Sequence, residues 1–369
     1  MQAIFAYQTS KQAEYNICKK QAQDQFMPDL NSMEEQDKDA LKADREEVAL
    51  VYDQIFEKGI ESVAPETKPE IIKEAQHYLE NYNNGVKEII RKTKVRLLDD
   101  LSRIFDDYIK LLVLIIEIEK EITSQKAKKN NTHNNFAKNQ VIKALKNFEK
   151  LEVERVRKNI GWDSDIIKTW LKKYLKTNTI YQDFDDLPKA NFEQDAALVT
   201  SIYKSIIFKN ENINDYFESQ DIGWTEDKSI LKSMVLKTIK SIESEDDEPL
   251  MMALSKNWDE DLDFLKELFD LSVNNEDELL ERIKEKSKNW EVDRMAITDK
   301  IILEMAVAEM SNFPSIPVKV TINEYIELSK QYSTPKSKQY VNGLLDVLSV
   351  DLQKEGVIKK SGRGLLDNK

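Results

Sequence analysis

Six side chains, Lys319, Lys330, Tyr332, Lys336, Lys338 and Tyr340, carry most of the chemistry this chain has to offer. Lysines supply phosphate contacts and tyrosine rings supply stacking faces, the combination that single-stranded RNA requires. Taken singly, each lysine suits a solvated surface better, and Tyr340 equally suits the core. Lys359, Lys360 and Arg363 add a short basic tail after Gly356. Other chemistry is poorly provided for. His77 and His133 are the only histidines, and with the single cysteine, Cys18, they show no metal-ligand spacing. Gly362-Arg-Gly364 is too short for a phosphate-cradling loop. Pairs of acidic residues abound, as the solvated faces of helices would require. These residues point to no catalytic group, no metal and no cofactor.

Helices must position the six. Asp299 to Met310 reads as one, with Ile301, Ile302, Met305 and Ala308 inward, stopped by Phe313-Pro-Ser-Ile-Pro317. Thr321-Ile-Asn-Glu324 has the form of a capping box, with Ile322, Tyr325, Ile326 and Ser329 as the buried stripe behind it. Thr334-Pro335 opens the last helix, whose stripe is Val341, Leu344, Leu345, Leu348 and Leu352. Gly343 inside that helix is expected to permit close helix contact, and Asn323 and Asn342 to satisfy backbone groups at helix junctions. Gly356 marks the stop.

Upstream, residues 1–20 read as a helix with Met1, Ile4, Phe5 and Gln8 on one face and no cap before them. Residues 29–60 read as a charged helix, and Asn81-Tyr-Asn-Asn-Gly85 as a break. A long helix spans about Val95 to Ile122; its run from Leu111 to Ile116 is apolar nearly all round and belongs at the centre of a core. Gln125 to Gln140 is rich in asparagine and lysine, without periodicity, and reads as a mobile loop. A repeat follows at a shift of 66 residues: Ala197-Leu-Val through Trp224-Thr-Glu-Asp227 to Ile230 matches Asp263-Phe-Leu through Trp290-Glu-Val-Asp293 to Ala296. Trp162…Asp165 and Trp258…Asp261 echo its Trp-x-x-Asp pattern, which suits a helix entry.

Bulk composition agrees. Among 369 residues there are 8 glycines and 8 prolines, and 33% of residues are charged, which favours an all-α fold. One cysteine suits a reducing compartment, and no apolar run approaches the roughly 20 residues a membrane span needs. A cytoplasmic protein without a membrane is expected. The net charge of −13 opposes general nucleic-acid binding, so any RNA contact must be a local patch.

The ordered run Pro317-x-Lys319-Val-x-Ile-Asn323-Glu324-x-Ile-Glu327-Leu-x-Lys330, then Ser337-x-x-Tyr340-Val-Asn342-Gly343-x-Leu-Asp346, resembles the NusB transcription antitermination family almost position by position. Asp299-Lys…Ala306…Glu309-Met and Met1-Gln-Ala-Ile-Phe-Ala-Tyr-Gln8 fit as well, and the interior resembles only the enlarged form of the family found in Bacteroidetes-type bacteria. The resemblance implies an all-helical, non-catalytic factor that pairs with ribosomal protein S10 (NusE). It implies binding to boxA-like single-stranded RNA, notably in rRNA operons, within the RNA polymerase antitermination complex. It assigns Phe5 and Asp299 to the S10-facing surface and Lys319, Lys330, Tyr332 and Tyr340, with Lys336 and Lys338 on the same turn, to RNA. The family's arginine-rich start to the first helix has no counterpart here, so a lost N-terminal basic arm is expected. A rival reading keeps the NusB fold as an interaction scaffold with weak or no RNA binding. The expected organisation is a discontinuous NusB-like domain of residues 1–20 and 252–355, an acidic helical insertion over 21–251, and a flexible basic tail over 356–369.

Overall fold

The computed structural model describes residues 1–31, 33, 35–128, 135–287 and 295–368. His133, the middle of the expected loop over 125–140 and the Trp290…Asp293 pair lie outside these residues. Among the described residues all regular structure is helical. The chain divides into two compact units, Met1–Leu97 with Glu260–Lys369, and Leu98–Asp259.

The first unit contains α1 Gln2–Asp24, α2 Lys38–Lys58 and residues 69–97 of α3 Pro69–Lys128. It also holds α11 Trp258–Asn274 from Glu260 onward, α12 Glu276–Lys286, α13 Ile297–Asn312, α14 Val318–Tyr332 and α15 Pro335–Lys354. The boundary drawn from sequence at residue 20 therefore differs from the one the packing makes. Cys18 and Ala22 of α1, Val48, Val51 and Tyr52 of α2, and Ile71, Ala75, Leu79 and Tyr82 of α3 share one core, which ties residues 21–97 to the first helix. The expected break at Asn81–Gly85 is continuous helix. The Glu14 side chain of α1 lies across Gly85, which sits inside the helix and not at a turn.

At the centre of the other core stands α13, buried from Ile301 through Met310. Of its three buried carboxylates, Asp299, Glu304 and Glu309, the last two are handled differently. Glu309 accepts from Thr321 Oγ1 at 2.7 Å and Tyr325 Oη at 3.0 Å, while Glu304 accepts from Gln8 Nε2 at 3.0 Å. Burial, with the Glu276 carboxylate nearby, pushes Glu304 up to about 7. The expected capping box at Thr321 does not form: α14 starts three residues earlier, after Pro317, and the Thr321 hydroxyl is spent on Glu309. Nor is the C-terminal segment a free tail. Ile358 is buried, Ser361 N donates to the Pro314 carbonyl at 2.9 Å, and a tight turn runs Gly362–Asn368. Gly364 lies so close to the Pro314 carbonyl that a Cβ would not fit.

The second unit is built on residues 98–128 of α3. Tyr108, Ile109 and Leu111 through Ile116 are buried there, as the run predicts. Around them lie α4 Gln140–Asn147, α5 Glu149–Arg157, α6 Ser164–Trp170, α7 Thr179–Asp185, α8 Phe192–Ser201, α9 Glu211–Gln220 and α10 Trp224–Lys240. α6 and α8 run on into π-turns at Leu171–Leu175 and Ile202–Ile207. The described edges of the expected loop are held: Phe136 is buried and Asn135 Nδ2 donates to the Leu187 carbonyl at 2.7 Å. The repeat has a structural counterpart, since α8 with its π-turn and α9 fall at the spacing of α11 and α12. Trp-x-x-Asp marks helix entries as read: Trp224 and Trp258 open α10 and α11, and Asp163 caps α6 just after Trp162.

Candidate nucleic-acid interface

The corner between α14 and α15 gathers four of the six candidate residues. Inward, Val318, Thr321, Ile322, Tyr325 and Ser329 fix the rotation of α14. That rotation turns Lys319, Asn323, Glu327 and Lys330 to solvent, one turn apart along the opposite face. Lys330 pairs with Glu327, with 42% of its side chain exposed. Such an exposed pair contributes only about 0–1 kcal/mol and exchanges readily for a phosphate. Lys319 shares this face but stands eleven residues away, roughly 16 Å along the helix axis.

The turn into α15 is capped by Thr334, whose hydroxyl accepts from Ser337 N at 3.2 Å, with Pro335 at the first helical position. Lys336 is exposed and Lys338 half-buried in the first turn. A helix start carries partial positive charge and favours carboxylates, so two lysines here work against helix stability. With Lys330 they make the sequence around this helix start basic, and a helix start favours anions. Tyr332 is half-buried and its hydroxyl is reached by Gln2 Nε2 at 3.5 Å, which brings the start of α1 to the corner. Tyr340 is packed partly into the core; burial pushes its hydroxyl pKa up, against a hydrogen bond with Ser287.

The residues assigned to a partner surface part company. Phe5 is 39% exposed, because the buried face of α1 is Ile4 and Tyr7 with the Lys11–Glu276 ion pair at 2.8 Å below them. Asp299 is only 3% exposed and accepts a short hydrogen bond from the Ser333 hydroxyl. That bond joins Ser333, between α14 and α15, to the first turn of α13. Asn323 and Asn342 are exposed and not spent on helix junctions. Gly343 faces open space, so it permits no close helix approach. Sequence reasoning missed Ser333 and Gln2; a serine between two helices and a polar residue in the first turn carry no periodic signal.

Comparison with known proteins now has a geometry to attach to. The NusB family model matches residues 229–349, from within α10 to within α15. A transcription antitermination protein NusB of Salinibacter ruber is 36% identical over 141 residues, 37% of this chain and 88% of that protein. One from Geotalea uraniireducens is 40% identical over 115 residues, 31% of this chain and 77% of that protein. The chain belongs to the NusB family. The Chloroherpeton thalassium protein of the same name is 43% identical over 105 residues, and there the chain spans 50% of the relative's length and 28% of its own. No solved structure matches. The NusB match contains the whole α13–α14–α15 assembly up to Ser349, and with it every lysine and tyrosine of the corner.

Proposed function

We propose that this NusB-family chain is a transcription antitermination factor that binds boxA-like single-stranded RNA jointly with ribosomal protein S10 (NusE). It acts in the RNA polymerase antitermination complex, notably on rRNA operons, and has no catalytic step. The observation that carries the reading is the α14–α15 corner. Lys330 lies at the end of α14, Lys336 and Lys338 in the first turn of α15, and Tyr332 between them in sequence, at a helix start that favours anions. The stretch Leu328–Leu345 around them contains no Asp or Glu in a chain of charge −13, so the patch is local, as the sequence requires. Lys319 extends the track along α14, and Tyr340, being partly in the core, presents at most a ring edge. Phe5 offers the aromatic contact for S10 on the exposed side of α1, while Asp299 is bonded to Ser333 between α14 and α15. A cytoplasmic setting follows from that role. Among the described residues no helix is long and apolar enough to cross a membrane.

The deciding experiment is a titration of boxA-like RNA with and without S10 across a range of salt. Binding that needs S10 and weakens steeply with salt supports the proposal. Binding of S10 with no RNA affinity at any salt supports the scaffold reading instead.

A further inference from the structure

A second concentration of lysine lies in the other unit, outside the NusB match. Two stretches there lack acid altogether. Ile122–Phe148 has six lysines and no Asp or Glu, and Ile166–Gln182 has four lysines and no Asp or Glu. The fold joins them: Lys176 Nζ donates to Gln125 Oε1 at 2.6 Å, and Lys126 pairs with Asp185 at 2.5 Å. Between them opens a cleft of about 400 Å³ lined by Gln125, Lys126, Lys176, Tyr181, Gln182 and Asp185.

The helical segment from Ser164 through the π-turn at Leu175 explains the exposure. Ile167, Trp170, Leu171 and Leu175 are buried, and Lys168, Lys172, Lys173 and Lys176 face solvent on the other side. Lys168 has Asp165 at 3.1 Å, a pair in which the carboxylate is 90% exposed and weakly held. Some lysines elsewhere pair with carboxylates, as Lys11 does with Glu276 and Lys146 with Glu119. Among the described residues, Lys172 and Lys173 form no such pair. Like charges crowded on one turn repel, and a bound polyanion relieves that repulsion.

We infer that Lys168, Lys172, Lys173 and Lys176 form a second phosphate-contacting track, for single-stranded RNA, independent of base sequence. The inference rests on the RNA-binding reading above for its choice of polyanion. Single-stranded RNA is the polyanion of that reading, and carboxylates close the lysine run in sequence, Asp163 and Asp165 before it and Asp183, Asp185 and Asp186 after it. In the adjoining cleft Gln125 is held by Lys176 and Glu121, and Gln182, whose Nε2 donates to the Lys176 carbonyl at 2.8 Å, keeps its side-chain oxygen for a base edge or 2′-hydroxyl.

The test uses the full chain, wild type and the Lys172→Gln/Lys173→Gln/Lys176→Gln variant, with polyuridylate as a probe lacking boxA sequence. The three lysines are exposed, so the variant keeps its helical circular dichroism. Three lost phosphate contacts reduce the slope of log affinity against log salt by about 2, at roughly 0.7 per contact for single strands. An unchanged slope overturns the track, as does a wild type that does not bind polyuridylate at low salt. An equal loss on duplex DNA overturns its assignment to single strands. The Lys330→Glu/Lys336→Glu/Lys338→Glu variant, titrated in parallel with boxA-like RNA and S10, separates the readings. Loss there with no effect at Lys172–Lys176 leaves the proposed function standing and removes only the second track; the reverse removes the corner and keeps the track.

Discussion

Replacing Glu304 by glutamine will make the protein more stable above neutral pH and leave it unchanged in acid. Glu304 sits on α13, buried, with Gln8 of α1 as its hydrogen-bond donor. Burial comes first among the causes that raise its pKa, then the Glu276 charge; Gln8, Lys300 and Lys11 act against both. The folded carboxyl titrates at about 7 against an ordinary 4.5. Between those values the folded chain holds a proton that the unfolded chain has released. Stability therefore falls as pH rises through that window and is level on either side. Two and a half units at about 1.4 kcal/mol each put the upper bound of the loss at roughly 3 kcal/mol. Glutamine resembles the protonated acid in shape and retains a partner for Gln8, so Glu304→Gln removes the loss. The assay is urea denaturation of both proteins from pH 4 to pH 8, read as the difference at each pH. Taking the difference cancels Asp107 and Asp227, which burial pushes up to about 6 in the other unit. Parallel curves for the two proteins would refute the account of Glu304 as a buried acid that must ionise at a cost.

The remaining expectations concern the corner and its supports. Lys330→Glu/Lys336→Glu/Lys338→Glu will reduce S10-dependent binding of boxA-like RNA and flatten its salt slope by about 2, with helical content unchanged by circular dichroism. Unaltered affinity would remove the corner as the RNA surface. Tyr325→Phe deprives the buried Glu309 of one of its two donors and should cost about 1–3 kcal/mol in denaturant unfolding. Gly343→Ala meets open space in a helix interior, so it should stabilise by up to about 1 kcal/mol. A destabilised variant would mean that Gly343 is packed after all. Phe5→Ala should weaken S10 binding in calorimetry and shift thermal unfolding little, because the ring is already 39% exposed.

Hydrophobic period and chain punctuation were enough to read most of the helices around the corner. The spacing of Ile322, Tyr325 and Ser329 and of Val341, Leu344, Leu345, Leu348 and Leu352 names the buried face of α14 and α15, and by subtraction the exposed one that carries Lys319 and Lys330. Thr334-Pro335 marks where α15 begins, while α14 starts three residues before the Thr321 cap that its sequence suggests. The nearly all-round apolar run at 111–116 announces one core helix, and the spacing of Ile301, Ile302, Met305 and Ala308 one face of the other. Local pattern works here because burial of a face is set by residues within a few turns of one another.

What lies opposite a face is decided by distant chain, and there the sequence was silent. Thr321 has the spacing of a capping residue, yet its hydroxyl answers to Glu309, twelve positions back on another helix. Gly85 looks like a break until Glu14 is seen passing across it. Asp299 has the type of a contact residue but is enclosed, holding Ser333. The acid-free stretches around Lys126 and Lys172 become one surface only because Lys176 meets Gln125. A periodic pattern states which side of a helix avoids water; only packing states which partner it finds there, and a buried polar group must take whichever partner the fold supplies.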